Sequence, residues 1–148
     1  MQNGSNLEEK ENRLQDRVIL IINGLSESGR VLTKMLAQQG SNVVIVDSQH
    51  DSEIAQRIKS DVRAQGRGCL IVTPGQMVTD KQSFSQYAIE MISNTFGRLD
   101  AFVSYSAADS AKRDKNGHLE EGSTSLTLFD PEGLTKAALR YILTQANA

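Results

Sequence analysis

Residues 17 to 30 read Arg17-Val18-Ile19-Leu20-Ile21-Ile22-Asn23-Gly24-Leu25-Ser26-Glu27-Ser28-Gly29-Arg30. An unbroken apolar run, Val18 to Ile22, is the mark of a strand covered on both faces, as in a parallel sheet. It leads through a turn with two glycines into the start of a helix, which is how a dinucleotide-binding unit opens. Gly24 and Gly29 keep the spacing of the first and last glycines of G-x-G-x-x-G, and Ser26 stands where the middle glycine would be. That middle position lets the backbone come close to a pyrophosphate, and a side chain there takes up the space. Two readings of the turn stay open. Its helix amides face a phosphate, or its glycines only permit a tight passage from strand to helix.

Outward from this turn the same period repeats. Arg30 to Gln39 carries Val31, Leu32, Met35 and Leu36 at helical spacing, and Gly40 closes it. Val43 to Val46 is a second buried strand. Ser52 to Gln65 places Ile54, Ile58 and Val62 on one face and stops at Gly66. Cys69 to Val72 is the third strand. Asp80 to Phe96 forms a long amphipathic helix, capped by Asp80 and ended by Gly97, and Leu99 to Val103 is the fourth strand. Strands and helices alternating through short loops predict parallel strands joined by right-handed crossovers. The expected fold is therefore α/β, a Rossmann-like doubly wound parallel sheet of about four strands in the order 3-2-1-4, with helices on both faces.

The ends of this pattern differ in character. Residues 1 to 16 carry little to bury and predict a disordered leader. Residues 107 to 130, rich in Asp, Lys, Glu, Gly and Ser, predict a mobile loop, with Asn116-Gly117 as a turn signal. A final helix runs from Pro131, with Asp130 as its cap and Leu134, Ala137, Ala138, Tyr141 and Ile142 as its stripe. Residues 17 to 148 are expected to form one domain.

Composition narrows the function. The chain has 148 residues and a net charge of −2, which argues against a nucleic-acid binder. No stretch approaches the roughly 20 apolar residues that span a bilayer. The first residues lack the apolar region of a secretion signal, so a cytoplasmic location is the default. Cys69 sits in an apolar run and reads as a buried small hydrophobe. His50 and His118 lie far apart and suggest no metal site.

Over Arg17 to Ala107 the sequence resembles the short-chain dehydrogenase/reductase family, and Gly97-Arg98-Leu99-Asp100-Ala101-Phe102-Val103-Ser104-Tyr105-Ser106-Ala107 is similar to its G-x-L-D-x-L-V-N-N-A-G. The resemblance implies an NAD(P)-binding fold and hydride transfer between carbonyls and alcohols. It also implies roles for particular residues. In the glycine turn, Asn23 stands at the threonine of T-G-x-x-x-G-x-G, Gly24 at its first glycine and Gly29 at its last. Asp47, about 20 residues on at the end of the second strand, is placed to bind the ribose hydroxyls of NAD and to repel the 2′-phosphate of NADP. The other reading of Asp47 is a solvated aspartate that begins a turn with Ser48.

Elsewhere the chain departs from the family. Met77 replaces the acid that would contact adenine. Ser104-Tyr105 replaces the Asn-Asn that lines the cofactor cleft, and the bulky Tyr105 is placed to fill that cleft. Catalysis in the family needs a Tyr and a Lys one helical turn apart, the lysine lowering the phenol's pKa for proton exchange with the substrate. The residues four beyond Tyr87, Tyr105 and Tyr141 are Met91, Asp109 and Gln145, so the pair is absent. Leu134-Thr135-Lys136-Ala137-Ala138-Leu139 resembles the family's S-K-A-A-L, which puts Glu132 at the tyrosine position.

These departures predict a non-catalytic binding, assembly or regulatory module without catalytic or metal-ligating residues. If NAD binds at all, Gly24, Ser26, Gly29 and Asp47 hold it, and weakly. The alternatives are an NAD-binding sensor or a residual NAD-dependent oxidoreductase. Strand 99 to 103 is expected at an open, apolar edge, which proteins cover or pair. That edge and the last helix are the expected contacts with a second copy or a protein partner, with no role for nucleic acid or membrane.

Overall fold

The structure is a computed structural model, and it describes residues 12–48, 52–76, 83–105 and 131–146. Its elements are β1 (Val18–Ile22), α1 (Glu27–Gln38), β2 (Asn42–Val46), α2 (Ser52–Ala64), β3 (Cys69–Val72), α3 (Phe84–Phe96), β4 (Ala101–Ser104) and α4 (Pro131–Ala146). The strands form one parallel sheet in the order β3-β2-β1-β4, as the sequence predicts. Ile21 lies between Ile45 on β2 and Val103 on β4.

The continuous apolar runs are explained by two cores, one on each face. Successive side chains of a strand point to opposite sides. Val18, Leu20, Ile22, Val44, Val46 and Val72 meet Phe84, Ala88 and Ile92 of α3 and Leu134 and Ala138 of α4. Ile21, Val43, Ile45 and Ile71 meet Ala37 of α1 and Ile54, Ala55, Ile58 and Val62 of α2. Each large aliphatic chain so buried contributes about 1.5–3 kcal/mol. Helices thus cover both faces, with α1 against α2 and α3 against α4.

Three boundaries differ from the sequence expectation by two residues or more, each through a side chain bonded to backbone. The first helix starts at Glu27 rather than Arg30, because Ser26 is its cap and accepts the Gly29 amide at 3.0 Å. The third starts at Phe84, where Ser83 accepts the Gln86 amide at 3.2 Å, so the cap expected at Asp80 is at Ser83 instead. The fourth strand begins at Ala101, since Leu99 is bound by a side chain of α4. The Leu99 amide donates to Gln145 Oε1 at 2.8 Å, and Gln145 Nε2 donates to the Leu99 carbonyl at 2.7 Å.

The segment expected as a leader is partly built into the fold. Asn12–Leu14 forms a short 3-10 turn, the Asp16 amide donates to the Gly40 carbonyl at 2.9 Å, and Arg67 pairs with Asp16 at 2.6 Å. Residues 1 to 11, the loop near 107–130, and His50, Met77, Asp80, His118 and Asp130 lie outside the described residues. β4 is an edge strand: among the described residues it pairs with β1 alone, with Val103 40% exposed.

Candidate functional site

In doubly wound sheets ligands bind outside the carboxyl ends of the strands, where the strand order reverses. Here that point lies between β1 and β4, since the chain runs outward from β1 to β3 and then returns to add β4 on the other side. The residues that meet there are Asn23 to Gly29 after β1, Asp47 after β2 and Tyr105 after β4.

The turn is shaped by close contact. Asn23 leaves β1 with φ 62°, a left-handed conformation that asparagine tolerates better than most residues. Its amide donates to the Val46 carbonyl at 2.8 Å, and its side-chain Nδ2 donates to the Tyr105 carbonyl at 3.2 Å. A Cβ on Gly24 would lie 2.6 Å from Ile21 Cγ2, and one on Gly29 would collide with the Gly24 carbonyl oxygen. Both glycines are therefore demanded by the packing of turn against strand and helix, whatever else the turn binds.

The polar groups of the turn are bonded to one another. Asp47 is 5% exposed, and its Oδ2 accepts the Leu25 amide at 3.0 Å. It is thus a buried group that ties the turn to β2, not the solvated aspartate of the second sequence reading. Ser26 Oγ takes the Gly29 amide, one of the helix N-terminal donors that a phosphate would use. The Ser26 amide in turn donates to the Gly24 carbonyl at 3.0 Å.

Tyr105 closes the arrangement. Its amide donates to the Ile22 carbonyl at 3.0 Å, extending the ladder between β1 and β4. Its ring packs against the core under α1 and α2, and its hydroxyl donates to the Ser28 carbonyl at 3.2 Å. The side chain thus runs from the end of β4 to the first turn of α1, across the strand reversal.

Lys136 pairs with Glu132 at 3.4 Å on the outside of α4, where both are exposed. Burial pushes the Cys69 thiol up to about 11, which keeps it protonated near neutral pH, as expected of a small hydrophobe rather than a nucleophile. Among the described residues no group of three His, Cys, Asp or Glu is arranged to hold a metal ion. No described helix is long and apolar enough to cross a membrane.

Sequence reading placed Gly24, Ser26, Gly29 and Asp47 at this site, and the structure brings all four together. It missed Asn23 as the clasp on Tyr105 and the bond from the Leu25 amide to Asp47. Asn-Gly after a buried strand is a signal for the former, since asparagine is enriched at positive φ.

No protein-family model matches the chain, and no curated protein matches it. Solved structures do. Levodione reductase is 21% identical, with a TM-score of 0.64, over 90% of this chain and 52% of that one. Carveol dehydrogenase from Mycobacterium avium, solved in complex with NAD, is 16% identical, with a TM-score of 0.65, over 90% of this chain and 52% of that one. Acetoin dehydrogenase from Enterobacter cloacae is 23% identical, with a TM-score of 0.62, over 88% of this chain and 51% of that one. The chain spans about half the length of these structures. At such identities the likeness is one of fold. The four parallel strands and their helices form the Rossmann-like fold that these dehydrogenases and reductases share, over about half the length of those proteins.

Proposed function

We propose that this chain is a non-catalytic, short-chain dehydrogenase-like Rossmann domain that serves as a binding, assembly or regulatory module. The observation that carries the reading is the reach of Tyr105 from β4 to Ser28. It stands beside two further groups turned inward, Ser26 on the Gly29 amide and Asp47 on the Leu25 amide. A dinucleotide would have to displace these bonds before forming its own, and each internal bond lost offsets part of what the ligand gains.

The partner in this reading is a second copy or another protein, seated on β4 and α4. Ala101 to Ser104 has neither charge nor proline, the usual guards of an edge strand. Leu139 and Leu143, one turn apart on α4, are 48% and 53% exposed. Sedimentation velocity tests this part: a concentration-dependent shift to a larger species supports self-association, and Val103→Lys should weaken it.

An NAD sensor is the second reading. It is favoured by the retention of Gly24, Gly29 and Asp47 at one site and by neighbours solved with NAD. Thermal denaturation with NADH separates the two, because a ligand at 100 times its Kd stabilises the fold by about 2.7 kcal/mol. The non-catalytic module gives no shift. The sensor gives a saturable one without turnover.

A further inference from the structure

We draw no further inference here: the strongest candidate, the exposed apolar pair Val31 and Met35 one turn apart on α1, carries none because nothing in the structure shows what covers it.

Discussion

The Tyr105 hydroxyl at the end of β4 donates to the Ser28 carbonyl in the first turn of α1, at 3.2 Å. With the Asn23 side chain on the Tyr105 carbonyl, this links β1, β4 and α1 at the strand reversal. Removing the hydroxyl alone, in Tyr105→Phe, should cost about 0.5–1 kcal/mol, the low end for a hydrogen bond because the contact is exposed. Tyr105→Ala also removes the ring from the core under α1 and α2 and should cost more. Urea denaturation of both variants orders them. Equal losses would mean that the ring contributes nothing.

The two glycines of the turn should differ in their tolerance of a methyl group. At Gly24 the nearest atom is a methyl of Ile21, which can rotate or shift, so Gly24→Ala should cost about 1–3 kcal/mol. At Gly29 the obstacle is the Gly24 backbone carbonyl, which cannot yield without opening the turn. Gly29→Ala should therefore cost more than Gly24→Ala, as read from denaturant midpoints.

Thr33 offers a stabilising change. Its hydroxyl on α1 is buried and has no hydrogen-bond partner among the described residues. A buried hydroxyl of this kind costs about 1–3 kcal/mol, and valine has nearly the same shape. Thr33→Val should raise the unfolding free energy by about 1 kcal/mol. A destabilised variant would show that the hydroxyl has a partner in solution.

Asp100 sets an acid limit. Burial alone would raise its carboxyl, but hydrogen bonds from Arg98 and from the Val18 amide, with the charges of Arg98 and Arg17, hold it below the ordinary value. A carboxyl depressed in the folded state stabilises the fold above the unfolded pKa, about 4, and loses that contribution as pH falls through its folded value. Below about pH 4 the wild-type Tm should therefore fall more steeply than that of Asp100→Asn. Near neutral pH the variant should be the less stable of the two. Thermal scans between pH 2 and 7 measure both.

Much of the fold was legible because it rests on short-range patterns. The apolar runs Val18 to Ile22 and Val43 to Val46 can be buried on both faces only in a covered parallel sheet, and right-handed crossovers then fix the strand order. The missed boundaries depend on contacts that a local pattern does not contain. Gln145 binds Leu99 from a helix 46 residues away, and no periodicity in Leu99 to Val103 records it. The site was legible in its membership but not in its bonding. Asp47 followed by Ser48 looks like the start of a solvated turn, until the Leu25 amide is brought against it by the pairing of β1 with β2.

Whether the turn takes a dinucleotide is decided by titrating the wild-type chain with NADH, following the ligand's fluorescence and the protein's Tm together. With Tyr105, Ser26 and Asp47 bonded inward, neither signal should change up to millimolar ligand. A saturable change in both, lost in Asp47→Ala while that variant remains folded, would contradict the non-binding reading.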